Sequence, residues 1–286
     1  MRSFIIWINS KIRKKYSLAN VFGIQERPPR YCPTFLERDV HKRFMNILTG
    51  SNIIVIYGES RQGKTWMIEK YCKNQLRIGC TEDMDLNAVK IAMLYKLGEY
   101  ILNIEKTVTK STGIKRNRDW SFDFIFKIFE ARRAIGKEKK YSKEEVIKTC
   151  YPSVNIHNNE EIMNIIKEKI GSNYFVLDNF HYLKPEIQKQ FSSLLKNFNY
   201  NDIKVIIVGV WKDASRITSL APDLTDRCQH IDIGSWSENE LLTVISMGEK
   251  ALKIKISHDI KSRIVTCSVN NIGICKKNNV KLLSDL

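Results

Sequence analysis

The chain has 286 residues, which suffices for one large domain or for a domain with a small lid. Hydrophobic residues make up 43% of the sequence, an ordinary share for a globular protein with a sizeable core. The formal net charge of +16 permits a nucleic-acid partner or another acidic partner. Because Lys, Ile and Asn are abundant throughout, a composition bias is an equal alternative.

The cysteine pattern argues against two classes of small structural domain. The 7 cysteines are odd in number and include no C-x-x-C pair, which speaks against a disulfide framework and against a zinc ribbon. We therefore expect reduced thiols in a cytoplasmic protein. The apolar start at residues 4–8 is too short for a signal-peptide core, and no apolar run approaches the length of a membrane span.

The sequence patterns predict strands that alternate with helices. Residues 1–30 form a basic, irregular segment. After it, in chain order, we expect a helix over 34–48, a strand over 52–57, a helix to about 74, a strand over 76–80, an amphipathic helix over 85–104, a polar loop over 105–121, a helix around 122–129, a helix over 160–170, a strand over 174–177, a helix over 185–198, strands over 204–209 and 229–233, and helices over 237–252 and 257–268. This alternation predicts an α/β fold with a parallel sheet.

Residues 58–65 match the pattern G-x-x-x-x-G-K-[ST] and follow a buried apolar strand. Backbone N–H groups of such a loop and of the helix after it attract phosphate. Lys64 would contact the β- and γ-phosphates, and the Thr65 hydroxyl would ligate Mg²⁺. The alternative is a chance glycine turn before a helix. The predicted nucleotide-binding residues are Gly58, Glu59, Ser60, Arg61, Gln62, Gly63, Lys64, Thr65 and Trp66.

A second apolar strand ends in an acid, which is the usual metal-holding partner of a phosphate loop. Asp178 follows Leu177 and would hold Mg²⁺ together with Thr65, although an Asp can also simply cap a strand end. Asn179 stands where many such ATPases carry the Glu or Asp that activates water, and an amide cannot accept a proton. His181 could sense the γ-phosphate or assist a water molecule, but a hydrogen-bonded loop histidine is an equal alternative.

Arg227 lies just before the fifth predicted strand. An Arg at this place can reach the γ-phosphate bound by a neighbouring subunit and stabilise transition-state charge. The alternative is a surface Arg paired with Asp226. The catalytic candidates are therefore Lys64, Asp178, Asn179, His181 and Arg227.

Together these motifs resemble the AAA+/STAND group of P-loop ATPases, on the branch that includes origin-recognition and transposase-helper ATPases. The resemblance rests on the phosphate loop, on residues 174–183 and on two further boxes, residues 36–39 and 236–241. It implies a three-layer fold with a sheet of order 5-1-4-3-2, ATP between a core and a small helical lid, and nucleotide-controlled assembly with a partner. The implied division is 1–30 as a basic segment, 31–235 as a core with a helical insertion at about 85–170, and 236–286 as the lid.

Four positions depart from the group's pattern. Glu37 replaces a Gly, and Asn179 replaces an acid. The strand that ends at residues 208–211 lacks an obvious polar sensor, and Lys276 stands where the group often has a sensing Arg. The polar stretch 276–279 leads us to expect a truncated or degraded C-terminus.

These observations favour an ATP-binding switch with slow, Mg²⁺-dependent hydrolysis that acts on a protein or DNA partner. The alternatives are a DNA-binding assembly ATPase, in which residues 1–30 and 106–148 contact phosphates, a small-molecule kinase, and a nucleotide-binding pseudoenzyme. A homo-oligomer is possible, and we expect no membrane association.

Overall fold

A computed structural model describes residues 7–8, 16–23, 32–106, 146–211 and 226–284. The predicted helix around residues 122–129 lies outside these ranges, as do most of the basic segment 1–30 and of the predicted loop 105–121. Within the described ranges, none of the helices combines the length and the apolar character needed to span a bilayer.

All five strands that the sequence predicts are present. The strands are β1 (Trp7–Ile8), β2 (Ile53–Tyr57), β3 (Gln75–Gly79), β4 (Tyr100–Lys106), β5 (Val146–Pro152), β6 (Tyr174–Asp178), β7 (Val205–Val208), β8 (Cys228–Asp232) and β9 (Ile254–Lys255). The helices are α1 (Leu18–Phe22), α2 (Asp39–Gly50), α3 (Lys64–Tyr71), α4 (Leu86–Lys96), α5 (Asn159–Ile170), α6 (Pro185–Tyr200), α7 (Glu238–Leu252), α8 (His258–Thr266) and α9 (Ile272–Ser284), with a 3₁₀ turn over Phe180–Tyr182.

The central sheet has the strand order β3-β6-β7-β2-β8, and each neighbouring pair is parallel. Numbered as the five core strands of the sequence, this is the order 5-1-4-3-2 read from the other edge, so the predicted topology is confirmed. The carboxyl ends of parallel strands meet at one edge of a sheet. The segments that follow β2, β6, β7 and β8 therefore come together there.

Helices cover both faces of this sheet. Alternate residues of β2 point to opposite faces, so Ile53 and Val55 pack in one buried cluster and Ile54 and Ile56 in another. The first cluster includes apolar residues of α4, α5 and α6, and the second includes those of α2 and α3. Strands buried on both faces explain the continuous apolar runs of the sequence and confirm the three-layer fold.

A third buried cluster joins α1, α7, α8 and α9, which we call the C-terminal helical cluster. A capping box begins α7: Ser237 N–H donates to Glu240 Oε2 at 2.7 Å, and Glu240 N–H donates to Ser237 Oγ at 3.3 Å. Helix α9 was not predicted, because its polar residues hide the apolar face that Ile272 and Cys275 bury. The division of the chain into core and lid stays a prediction.

The predicted helix over residues 85–104 is wrong beyond its first three turns. Helix α4 ends at Lys96, and Gly98 takes the left-handed backbone angle (φ +84°) that ends many helices. The chain then forms β4, which pairs with β5 in a two-stranded antiparallel sheet. Apolar residues at helical spacing continue past Gly98, so periodicity alone did not reveal the end of the helix. The described part of the 85–170 insertion thus contains strands as well as helices.

Candidate phosphate-binding site

The loop after β2 has the backbone that its two glycines permit. Gly58 has φ +126°, and a Cβ there would lie 2.5 Å from Ile233 Cγ2. Gly63 has φ +99° and is the residue immediately before α3. A side chain is sterically excluded at the first position and strained at both. The loop therefore delivers the chain into the N-terminus of α3, where unpaired backbone N–H groups favour an anion.

Lys64 bridges this loop from inside. Its side chain is buried, and its ammonium donates hydrogen bonds to Gly58 O at 2.8 Å and to Glu59 O at 2.6 Å. Burial lowers the pKa of Lys64 from 10.5 to about 8, and the nearby carboxylates of Asp178, Asp232 and Glu59 oppose this shift. A desolvated cation at the start of α3 gains much from an approaching phosphate.

A cavity of about 270 Å³ opens beside the loop. From the loop and α3 it is lined by Ser60, Arg61, Gly63, Lys64, Thr65 and Trp66. The residues at the carboxyl end of β6 also line it, and the first turn of α9 lines it from the other side. The remaining predicted loop residues do not line it: Gly58 and Glu59 accept the Lys64 hydrogen bonds, and Gln62 is buried.

Asp178 and Thr65 both line this cavity, so a carboxylate and a hydroxyl flank the phosphate loop. Oxygen donors of this kind suit Mg²⁺, which keeps several waters and uses phosphate oxygens as further ligands. Such a site needs few protein ligands. In the described part of the chain no group of three or more His, Cys, Asp or Glu residues could hold a metal on its own. The residues present therefore fit an Mg²⁺–nucleotide complex.

Asn179 turns the chain at the end of β6. It is exposed, lines the cavity, and has a left-handed backbone with φ 62°, which Asn tolerates better than most residues. Its own N–H donates to Asp178 Oδ1 at 3.0 Å. The turn thus places Asn179 beside Asp178, the predicted metal ligand.

His181 reaches the end of the neighbouring strand β7. Its Nδ1 accepts a hydrogen bond from Val210 N–H at 3.3 Å, at the place where the sequence offers no polar sensor. Burial and then the charge of Lys64 lower the pKa of His181, with Asp178 opposing. The imidazole is therefore neutral at neutral pH and lies within electrostatic reach of the phosphate loop.

Arg227 lies far from this cavity. It is exposed in the turn before β8, and Cys228, the first residue of β8, pairs with Ile53, the first residue of β2. The turn thus lies at the amino-terminal ends of the parallel strands, whereas the phosphate loop lies at their carboxyl ends. One strand length, roughly 15 Å, separates them. Arg227 does not act on the site of its own chain, and a role toward a neighbouring subunit stays a prediction.

The C-terminal segment holds the phosphate loop by its carbonyl groups, a feature that the sequence did not indicate. Asn271 Nδ2 donates to Ser60 O at 3.0 Å, Gly273 N–H donates to Arg61 O at 3.2 Å, and Trp236 Nε1 donates to Gln62 O at 3.2 Å. In addition, the buried ammonium of Lys276 lies 4.0 Å from the centre of the Trp66 ring. The loop and the C-terminal helical cluster are therefore mechanically connected.

Two charged residues beside the site were also missed. Asp232 pairs in register with Tyr57, the last residue before the loop, and its carboxylate accepts from Gly234 N–H at 2.8 Å. Arg77 of β3 contacts Asp178 directly, with Nη1 2.9 Å from Oδ2. The available signal for Arg77 was its position: it is a basic residue inside a short strand, and the predicted topology places that strand beside β6.

Comparison with solved structures places this architecture among known proteins. The Walker-type ATPase PABY2304 of Pyrococcus abyssi superposes with a TM-score of 0.56 at 11% identity, over 88% of this chain and 68% of that one. Cdc6p of Pyrobaculum aerophilum superposes with a TM-score of 0.50 at 14% identity, over 93% of this chain and 64% of that one. The fold is the three-layer α/β fold of P-loop NTPases.

At these identities the likeness concerns the fold, and this chain spans about two thirds of the length of each of these two proteins. No known protein family and no curated protein matches the sequence. For a P-loop ATPase fold, the carboxyl edge of the sheet is where a nucleotide binds. The cavity beside Lys64 lies at that edge.

Proposed function

We propose that the protein binds ATP with Mg²⁺, hydrolyses it slowly, and acts as a nucleotide-dependent switch on a protein or DNA partner. The observation that carries this proposal is the cavity in which Lys64, Thr65 and Asp178 meet at the start of α3. A lysine, a hydroxyl and a carboxylate around a glycine loop are the set that phosphoryl transfer requires.

The roles of the chain's own residues follow from their positions. The loop N–H groups and Lys64 bind the phosphates, and Thr65 and Asp178 hold the metal ion. A bound Mg²⁺ would supply positive charge against the charge that develops on the phosphate oxygens. For Lys64 to bind phosphate, its ammonium exchanges the carbonyls of Gly58 and Glu59 for phosphate oxygens.

Slow hydrolysis is expected because Asn179, the residue that follows Asp178, carries an amide where a general base would act. The amide of Asn179 can orient water but cannot take its proton. The neutral imidazole of His181 donates no charge to the γ-phosphate, and its Nδ1 is engaged by the Val210 N–H. Both groups can fix the position of a water molecule or phosphate oxygen, which suits a protein that dwells in its ATP-bound state.

The connection between the phosphate loop and the C-terminal helical cluster supports a switch. Three carbonyl groups of the loop accept hydrogen bonds from residues 236–273. A phosphate that reshapes the loop changes the acceptor positions, so nucleotide state and cluster position are energetically coupled. This coupling would carry the signal to a partner.

The basic charge supports an acidic partner, DNA being the candidate that salt dependence tests. Arg227, exposed on the opposite edge, is available for a second subunit in a homo-oligomer. The described cysteines are free thiols, which supports a cytoplasmic location.

The test is ATP binding and turnover by the purified chain with Mg²⁺, with and without duplex DNA. We expect Lys64→Ala to abolish binding and Lys189→Ala, a change of an exposed lysine on α6, to leave it unchanged. Equal ATP affinity of wild type and Lys64→Ala would refute the site. Turnover that rises with DNA and falls steeply with salt would favour the DNA-assembly alternative, and binding without turnover would favour a pseudoenzyme. Transfer of the phosphoryl group to a small molecule would identify a kinase.

A further inference from the structure

Arg77 connects the metal-holding acid to the helix that follows the phosphate loop. Its Nη1 lies 2.9 Å from Asp178 Oδ2, and its Nη2 lies 3.3 Å from Oε1 of Glu69 on α3. The three side chains are 18%, 19% and 23% exposed for Arg77, Asp178 and Glu69. A single guanidinium thus faces two carboxylates in a mostly desolvated place.

The parallel register produces this arrangement. Arg77 pairs with Val176, and Gly79 pairs with Asp178. Residues 77 and 79 lie on the same face of β3, so the Arg77 side chain reaches Asp178 by extending two residues along the strands. Gln75 Oε1 accepts a further hydrogen bond from Nη2 at 3.2 Å.

The guanidinium occupies one of the oxygens that a metal ion would use. Asp178 Oδ2 accepts from Arg77, and Oδ1 accepts from the Asn179 N–H. Each carboxylate oxygen has a second lone pair, so a metal-bound water can still be accommodated. However, an Arg charge cannot be removed by deprotonation, and it repels a divalent cation held by the same acid.

We propose that Arg77 competes with Mg²⁺ for Asp178 and that Glu69 sets the strength of this competition, an inference that rests on the proposed nucleotide site. When the metal ion draws on Asp178, Glu69 keeps the guanidinium paired, so Arg77 is not left as a buried, unpaired charge. The phosphate loop is connected to this competition, since Glu69 is on the helix that begins at Lys64. Mg²⁺ thus binds together with nucleotide, whereas the binding of Mg²⁺ without nucleotide is weakened.

The competition predicts opposite effects for two neutral substitutions. Arg77→Gln removes the positive charge beside Asp178, so Mg²⁺ should bind more tightly. Glu69→Gln removes the second partner of Arg77, so the guanidinium should bind Asp178 more strongly and Mg²⁺ more weakly. The quantity to measure is the ratio of nucleotide dissociation constants in EDTA and in Mg²⁺, with a fluorescent ADP as the probe. We expect this ratio to change several-fold, on the order of tenfold at low salt, in opposite directions for the two variants.

The controls are Arg263→Gln and Glu186→Gln, which remove exposed charges elsewhere and should leave the ratio unchanged. A merely structural ion pair would lower the melting temperature of both test variants without moving the ratio, and this outcome would overturn the proposal. A fall of the ratio in both variants would also overturn it, because Arg77 would then only orient Asp178. If Arg77→Gln does not fold, Glu69→Gln alone decides, since an unchanged or higher ratio contradicts the competition.

Asp178→Asn separates this inference from the proposed function. If Asp178→Asn lowers the ratio while the Arg77 and Glu69 variants do not move it, the metal role stands and the competition is refuted. If Asp178→Asn leaves the ratio unchanged, the metal role itself is wrong, and the competition falls with it.

Discussion

The contact between Gly273 and the phosphate loop offers the sharpest test of the coupling between nucleotide and C-terminal helical cluster. Gly273 lies in the first turn of α9, and its N–H donates to Arg61 O at 3.2 Å. A Cβ at this position would lie 2.6 Å from Arg61 Cβ and 3.2 Å from Arg61 O. Neither atom is the end of a flexible side chain, so Gly273→Ala must push the loop and α9 apart.

The expected cost follows from two opposing terms. Overpacking of this kind costs about 1–3 kcal/mol, and an Ala in place of a helical Gly returns at most about 1 kcal/mol. We therefore expect Gly273→Ala to lower the free energy of unfolding by about 1–2 kcal/mol, which shifts the melting temperature by about 2–8 °C. Because Arg61 and Gly273 both line the cavity, we also expect nucleotide affinity to fall several-fold, which is about 1 kcal/mol.

Gly50→Ala is the matched control. Gly50 is the exposed last residue of α2, and a Cβ there would meet nothing within 4 Å. This variant should be as stable as the wild type or slightly more stable, with unchanged nucleotide affinity. Thermal denaturation and a fluorescent-nucleotide titration measure both quantities. If Gly273→Ala matches Gly50→Ala in both, α9 does not constrain the phosphate loop and the coupling argument is wrong.

Three further predictions follow from individual residues. Because the pKa of Lys64 is about 8 in the folded chain against 10.5, the unfolded chain binds more protons between these pH values, so the nucleotide-free protein should become more stable as pH rises through this window, by up to about 3 kcal/mol. Nucleotide affinity needs the charged ammonium and should instead fall above pH 8. Denaturant titrations at pH 7 and 9.5 measure the stability trend, and nucleotide titrations at the same two pH values measure the affinity trend. The Lys64→Met variant should lack the stability trend. Asn179→Asp should raise the rate of phosphate release by about tenfold or more. Asn179→Glu should raise it by less, because a Glu at φ 62° costs about 1 kcal/mol. Equal rates in the wild type and both variants would place Asn179 away from the attacking water. Val269→Gly should stabilise the chain by about 1 kcal/mol, since Val269 is 75% exposed and holds a left-handed backbone with φ 46°, whereas Val269→Ala should gain much less in the same thermal denaturation.

The central sheet was predictable because its information is local. Each core strand is a short apolar run between turn residues, and burial on both faces leaves that run uninterrupted by polar positions. The phosphate loop could also be predicted from the sequence, because Gly58 and Gly63 take positive φ angles that favour glycine. Strand order then followed from the family resemblance, not from the strands themselves.

The contacts between the phosphate loop and the C-terminal helical cluster were not predictable, because they join distant parts of the chain. Asn271 and Ser60 are 211 residues apart, and Trp236 and Gln62 are 174 residues apart. These contacts are made to backbone carbonyls, which every residue carries, so no residue type marks the acceptor. Arg77 differs, because the predicted strand order already placed its strand beside β6, and an Arg in a half-buried strand needs an acid partner.

Asn179 shows why a departure from a motif must be interpreted with its backbone. At φ 62° the position favours Asn over Glu on conformational grounds alone, whatever the chemistry requires. The Asn179 N–H also donates to Asp178, and this hydrogen bond is independent of the side chain. The absence of a general base and the strained turn are therefore two separate explanations for an Asn at position 179. Asp shares the tolerance of Asn for this conformation and adds a proton acceptor, so a faster Asn179→Asp variant would mean that slow hydrolysis, and not the turn, accounts for the amide.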